Sequence, residues 1–234
     1  MNPGSAPSIA LIVPTFNERG NPPPLVSQLA VAFATMPYRI VFADDSTDGT
    51  TREIENLIAV DTSISIHHSH ERRGLARAVA EVLETLTEDI VVVMDGDLQH
   101  PPLIAPLLVK AITNGADIAT ASRYAPGGKE IGLSGPWRRL VSWSSSLAAQ
   151  KLLPAARQTS DPLSGFFAIR RSIVDGVFLQ PVGFKILLEL LVRTDVHAVV
   201  DIPYTFDQRS RADSKASILE GIRFLRHLIR LRSA

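Results

Sequence analysis

A mostly parallel, wound α/β sheet in a single domain is the architecture this sequence predicts, and three observations carry the prediction. Short apolar runs rich in β-branched residues alternate with stretches of helical spacing along most of the chain. The length, 234 residues, suits one large domain with or without an appendage, and a hydrophobic share of 45% is enough for a sizeable core. Three of the apolar runs also open directly onto polar, acidic segments. Side chains at the carboxyl ends of parallel strands converge on one rim, where open α/β sheets bind their ligands.

The elements follow in order. Ile9 to Val13 is the first buried strand, running into Pro14-Thr15-Phe16-Asn17-Glu18. Pro22-Pro23-Pro24 opens a helix to about Phe33, proline being tolerated in a first turn. Arg39 to Ala43 is a second strand, followed by Asp44-Asp45-Ser46-Thr47-Asp48-Gly49-Thr50; Asp48 or Thr50 can cap a helix to about Ala59. Ser63 to His67 alternates as a third strand, and Leu75 to Leu86 has helical spacing. Ile90 to Met94 is a fourth strand, followed by a helix from about Leu103 to Thr113 and a strand at Asp117 to Thr120. Beyond Ala125-Pro126-Gly127-Gly128 the spacing predicts a helix from Pro136 to about Leu153, another from about Phe184 to Val192, and a strand at Ala198 to Ile202. In the amphipathic tail, Ala216 to Arg232, Ile218, Ile222, Leu225, Leu228 and Ile229 share one face, and Arg223, Arg226, His227 and Arg230 the other.

The chemistry is most legible after the fourth strand, in Asp95-Gly96-Asp97-Leu98-Gln99-His100. Two carboxylates one residue apart at a strand end can hold a hard cation such as magnesium or manganese, which typically bridges to a substrate phosphate. In isolation the same pair is better read as ending a strand and capping the next helix; the motifs around it give the cation reading its weight. His67-His68-Ser69-His70 has no further His or Cys cluster to support a metal site, and reads as a strand end.

Composition narrows the field. Lys+Arg and Asp+Glu are both 24, so no global charge draws the chain to nucleic acid. The end is locally basic: Arg209, Arg211, Lys215, Arg223, Arg226, Arg230 and Arg232 stand against Asp207, Asp213 and Glu220. That pattern suggests phosphates or an anionic surface nearby. The absence of cysteine excludes disulfides and thiol chemistry. Met1 to Pro7 does not resemble a signal peptide, and no apolar run approaches the ~20 residues that span a bilayer. The expectation is a cytoplasmic chain without a transmembrane anchor.

Six motifs stand in one order: Pro14 to Glu18, Asp44 to Thr50, Arg73-Gly74-Leu75-Ala76, Asp95 to Pro102, Ser122-Arg123-Tyr124, and Asp161-Pro162-Leu163-Ser164-Gly165-Phe166-Phe167. In these the chain, from about Ile9 to Lys215, resembles the inverting family 2 glycosyltransferases of GT-A fold, and within them the polyprenol-phosphate (dolichol-phosphate) mannose synthases. Ala212-Asp213-Ser214-Lys215 departs from the usual Gly-x-Ser-Lys, and Gly96 replaces a common alanine.

The resemblance implies a catalytic domain over residues 1–215 and a basic amphipathic helix over 216–234. It assigns a Mg2+ or Mn2+ ion to Asp95, Asp97 and Gln99, and the donor nucleotide to Asp45, with Pro14, Phe16, Glu18, Arg73, Gly74, Asp95 and Gly96 beside it. For the acceptor phosphate, Arg123, Arg138, Arg209 and Lys215 are the candidates, arginine suiting bidentate phosphate contact. Asp97, Arg123 and Arg209 carry the catalytic expectation. The implied reaction is transfer of a hexose, foremost mannose from GDP-mannose, to a polyprenyl monophosphate. The alternatives are another donor such as UDP-glucose, a hydroxyl acceptor with Asp161 as base, and a silent nucleotide-sugar binding module. A lipid substrate also implies a peripheral protein at the cytoplasmic membrane face, with the helix from Pro136 and the C-terminal helix at the interface, and leaves room for a separate membrane-anchoring partner.

Overall fold

The structure is a computed structural model that describes residues 6–71, 74–130, 136–181, 185–206 and 218–232. Its centre is a seven-stranded sheet in the order β3-β2-β1-β4-β7-β5-β8. The strands are β1 (Ile9–Thr15), β2 (Arg39–Asp44), β3 (Ile64–His68), β4 (Ile90–Val93), β5 (Ile118–Ser122), β7 (Phe167–Arg170) and β8 (Val199–Pro203). A small parallel pair, β6 (Lys129–Glu130) and β9 (Thr205–Phe206), lies apart from it. The helices are α1 (Pro22–Phe33), α2 (Thr50–Ile58), α3 (Leu75–Thr85), α4 (Ala105–Thr113), α5 (Pro136–Leu152), α6 (Ile186–Arg193) and α7 (Ile218–Arg232).

Burial on both faces explains why the inner strands are unbroken apolar runs. Ile9, Leu11 and Val13 of β1 face a layer with Leu25, Leu29 and Phe33 of α1 and Leu108 and Ile112 of α4. Ala10 and Ile12 face the opposite layer, with Val79 and Leu83 of α3 and Leu187 and Leu190 of α6. Parallel registers such as Ile12 with Val41 and with Val93 bring the ends of β1, β2 and β4 level. Pro14 to Glu18, Asp44-Asp45 and Asp95 to Gln99 therefore meet on one rim, as the sequence predicts.

Four features differ from the sequence expectation. Phe167–Arg170 is a strand, antiparallel to both β4 and β5 and inserted between them; its fully apolar start carries no period that marks it. The helix expected from Leu103 starts as a 3-10 turn at Pro102–Ile104 and becomes α-helical at Ala105. Gly49, at φ +106°, is the N-terminal boundary residue of α2, while Asp48 Oδ1 accepts from Thr50 N at 3.0 Å. The C-terminal helix, finally, is rotated from its expected face. Leu228, Leu231 and His227 are buried, whereas Leu225 and Ile229 are exposed. Leu228 and Leu231 join Ala149 and Leu153 near the end of α5 and Leu188 of α6. His227 turns inward with Glu189, wholly buried on α6, opposite it, Nε2 standing 3.5 Å from Oε2.

Candidate active site

One side of the rim is built from β1, β2 and β4. Asp44 is fully buried and every oxygen is engaged: Thr15 Oγ1 and Ser46 Oγ donate to Oδ1 at 2.7 and 2.5 Å, and Thr51 Oγ1 donates to Oδ2 at 2.7 Å. His68 Nδ1 meets Oδ2 at 2.9 Å. Burial pushes the Asp44 carboxyl up, but the hydrogen bonds from Ser46, Thr51, Thr15 and His68 outweigh it and hold the group below its ordinary value. Asp44 is thus a brace, and its neighbour Asp45, also buried, meets the start of α3. Asp45 Oδ2 accepts from Gly74 N at 3.1 Å, where Gly74 has φ +89° ahead of α3. Pro14 is buried; Phe16 and Glu18 are half-buried on the same loop, which Asn17, at φ +56°, turns over Ser46. Glu18 Oε2 accepts from Asn21 Nδ2 at 2.7 Å.

After β4 the chain makes a tight turn through Leu98, whose φ is +63°. Such a conformation in a leucine costs on the order of 1–3 kcal/mol and marks a turn held for a purpose. It lets Asp97 Oδ1 accept from Gln99 N at 3.1 Å. Asp97 and Gln99 are each 7% exposed, while the Asp95 side chain is 40% exposed. Gly165 explains how Asp95 is seated: a Cβ there would lie 2.5 Å from Asp95 Oδ2. Gly96 lies close to β1, its would-be Cβ 3.0 Å from Thr15 Cγ2. Two carboxylates and an amide oxygen are the hard donors that magnesium or manganese takes. Among the described residues no group of three or more His, Cys, Asp or Glu forms a metal cluster. Two carboxylates and one amide leave positions that water and a substrate phosphate can fill around such an ion.

Beneath this turn His100 is buried, its ring 5.1 Å from Phe166 and 5.8 Å from Tyr204 between centroids. Burial, then the Arg123 charge against the pull of Asp97 and Asp161, lowers its pKa to about 4, so it packs as a neutral ring.

The other side of the rim is built from β5, β7 and β8. Arg123, just past β5, donates from Nε to Asp161 Oδ2 at 2.7 Å and from Nη2 to Oδ1 at 2.9 Å. Asp161 is fully buried, so this is a desolvated bidentate pair. Asp201 of β8 holds the turn in place, accepting from Thr159 Oγ1 at 2.6 Å and from Ser160 N at 2.8 Å. Ser160 Oγ lies 2.6 Å from Ser122 Oγ. A cavity of about 310 Å³ opens beside this turn, lined by Tyr124, Trp143, Ser146, Leu147, Gln150 and Ser160.

The structure thus brings Pro14, Phe16, Glu18, Asp45, Gly74, Asp95, Gly96, Asp97, Gln99 and Arg123 to one rim. Arg73, Arg209 and Lys215 lie outside the described residues, and Arg138 stands on α5 with its side chain outside them. Two residues of the site escape sequence reasoning, Tyr204 and Lys185. Lys185 immediately precedes α6, and its Nζ donates to Leu163 O at 3.4 Å. A signal for it exists: a lysine at the positive end of a helix dipole is electrostatically adverse and calls for an anion.

An open, mostly parallel sheet with paired acids and an amide at the end of a central strand is a GT-A architecture. The solved structures agree on the fold. Glucosyl-3-phosphoglycerate synthase from Mycobacterium tuberculosis, in complex with Mn2+, UDP-glucose and phosphoglyceric acid, superposes with a TM-score of 0.68 at 19% identity, over 97% of this chain and 80% of that one. The model of glycosyl transferase family 2 matches residues 10–178, and the chain belongs to that family. A dolichol-phosphate mannosyltransferase of Pyrococcus furiosus is 39% identical over 95% of this chain, which spans 63% of that protein's length. The dolichol-phosphate mannosyltransferase of Saccharomyces cerevisiae is 31% identical over 94% of this chain and 85% of its own. The polyprenol monophosphomannose synthase of Mycolicibacterium smegmatis is 31% identical over 88% and 80%.

Proposed function

We propose that the protein is a glycosyltransferase that moves a hexose, foremost mannose from GDP-mannose, onto a polyprenyl monophosphate with inversion at the anomeric carbon. The relatives named above support the sugar and the lipid phosphate. The observation that carries the choice of acceptor is the Arg123–Asp161 pair. A hydroxyl acceptor needs a general base, and Asp161, the carboxylate placed for that work, has both oxygens bound by the Arg123 guanidinium. A phosphate monoester has a second pKa of about 6 and is already an anion near neutral pH. One of its oxygens attacks the anomeric carbon, the bond from that carbon to the diphosphate oxygen breaks, and the nucleoside diphosphate leaves with the electron pair. No proton has to be removed.

In this reading Asp45, Gly74, Pro14, Phe16 and Glu18 line the nucleotide pocket, with Arg73 expected beside it. Asp95, Asp97 and Gln99 hold Mg2+ or Mn2+, which when bound supplies neutralisation of the diphosphate's charge. Arg123 presents the acceptor phosphate, and Arg138, Arg209 and Lys215 are its proposed partners. The test is turnover with a panel of labelled nucleotide sugars, with polyprenyl phosphate and with the unphosphorylated polyprenol. Label should enter the phosphorylated lipid alone, fastest from GDP-mannose. Equal transfer to polyprenol, or release of free sugar only, contradicts the proposal.

We also propose that α5 and α7 lie on a membrane surface. No helix among the described residues is long and apolar enough to cross a membrane, yet Val141 and Trp143 of α5 and Leu225 and Ile229 of α7 are exposed, with Arg226 and Arg230 beside the latter pair. Replacing Leu225 and Ile229 by Glu should release the protein from sedimenting anionic liposomes; unchanged sedimentation overturns this placement.

A further inference from the structure

We propose that Lys185 is a cation for the acceptor's phosphate, its ammonium exchanging the Leu163 carbonyl for a phosphate oxygen when the lipid enters beside Arg123. The proposal rests on the lipid-phosphate reading above and adds a residue to it.

Charge accounting makes the case first. Arg123 is committed to Asp161 by two hydrogen bonds, so the pair as it stands is close to neutral. An incoming phosphate carries one to two negative charges into a rim that already holds Asp95 and Asp97. A further cation on the same wall offsets that repulsion, and Lys185 stands there, within electrostatic reach of Arg123, Asp161 and Asp95.

Position gives the second line of argument. The hydrogen bond of Lys185 runs to Leu163, within the same Asp161-to-Gly165 segment that carries the partner of Arg123 and the seat of Asp95. The nucleotide-facing contacts, by comparison, come from β1, β2 and the start of α3. In-line displacement needs the attacking phosphate on the side of the sugar opposite the leaving diphosphate. A lysine tied to the Asp161 side therefore meets the attacking phosphate.

The physical chemistry of the side chain agrees. At 3.4 Å the Leu163 contact is long beside the roughly 2.7–2.9 Å of an ammonium–anion hydrogen bond, so a phosphate oxygen competes well for it. Burial first, and the Arg123 charge second, bring the ammonium from 10.5 to about 7, with Asp161 and Asp95 pulling the other way. A phosphate at this position restores the charged form. The unfavourable placement of a cation at the start of α6 is relieved in the same step.

The experiment compares wild type with Lys185→Gln, Lys185→Met and Lys185→Arg. Folding is checked by circular dichroism, and two readouts are taken. One is equilibrium binding of a short, water-soluble prenyl phosphate without donor; the other is the KM for nucleotide sugar and for polyprenyl phosphate, measured separately. Loss of one charge-assisted hydrogen bond predicts about tenfold weaker prenyl-phosphate binding and a similar rise in lipid KM for both neutral variants. Donor KM should stay within about twofold, and Lys185→Arg should recover most of the loss. A folded neutral variant that binds prenyl phosphate like wild type overturns the inference while leaving the function intact, as does a loss confined to donor KM. A wild type that neither binds nor uses a prenyl phosphate overturns both.

Discussion

Asp44 and Asp161 are both fully buried carboxylates on the rim of one sheet, yet they are held in opposite ways. Asp44, on the β2 side, is braced by neutral hydroxyls and His68, all within the first 70 residues. Asp161, on the β5 side, is held by the Arg123 cation. A carboxylate braced by hydroxyls keeps the surroundings negative, and beside it Asp45, Asp95 and Asp97 suit a cation and the nucleotide it accompanies. A carboxylate paired with arginine makes a pair close to neutral, and Lys185 beside it gives this side its positive charge. The comparison teaches that the site is polarised, with an acidic wall and a basic wall laid along one sheet; in the proposed function the first takes the donor and the second the acceptor.

The largest effect should come from cutting the basic wall. Arg123→Gln leaves Asp161 buried without its counter-charge, which costs about 3–5 kcal/mol. Urea denaturation should show that loss, and adding Asp161→Asn to Arg123→Gln should restore most of the stability without restoring transfer. If the single variant is as stable as wild type, the two walls do not differ in the way described.

The acidic wall separates into brace and ligand. Asp44→Asn turns an amide toward donors that now face a carboxylate, and should cost about 2 kcal/mol with a clear fall in Tm. Asp45→Asn should leave Tm almost unchanged and raise the donor KM on the order of tenfold. Exchange of these two phenotypes would reverse the roles assigned here. Because the folded Asp44 pKa is depressed, its contribution is present in full above the ordinary carboxylate value and is lost as pH falls from there through the lower folded value.

The seam between the walls is Gly165. An alanine there meets Asp95 Oδ2 at 2.5 Å, so Gly165→Ala should weaken manganese affinity on the order of tenfold with little change in prenyl-phosphate binding. Equal loss on both sides would mean that the loop collapses as a whole.

The smallest effect belongs to α7. His227 is buried against Glu189, with Arg193 and Arg230 nearby. Burial lowers its pKa in spite of Glu189, so the unfolded chain takes up its proton first as pH falls. Stability is therefore complete above the ordinary histidine pKa of 6.5 and declines below it. Thermal melts of His227→Leu between pH 7.5 and 5.5 should show a shallower decline than wild type; an identical slope removes His227 from the docking of α7.

How much of this was legible in the sequence follows from the same polarity. The acidic wall is made of parallel strands buried on both faces, which read as apolar runs with polar ends, so β1, β2, β4 and Asp45, Asp95, Asp97 and Gln99 stand out. Periodicity there is local, and the braces of Asp44 come from nearby strands. The basic wall depends on pairings over longer range. Arg123 and Asp161 meet across 38 residues, and nothing in the apolar run ending at Ile169 shows that β7 enters the sheet antiparallel. Lys185 is conspicuous only once α6 is known to begin after it. The inward turn of His227 depends on a glutamate from another helix, which no helical projection of α7 contains.

The polarity has one direct test, manganese binding followed by electron paramagnetic resonance in the presence of a nucleoside diphosphate. Wild type should show a nucleotide-dependent site, and Asp97→Ala should bind at least about tenfold more weakly while Arg123→Gln, if folded, keeps the site. Equal manganese affinity in wild type and Asp97→Ala would contradict the account.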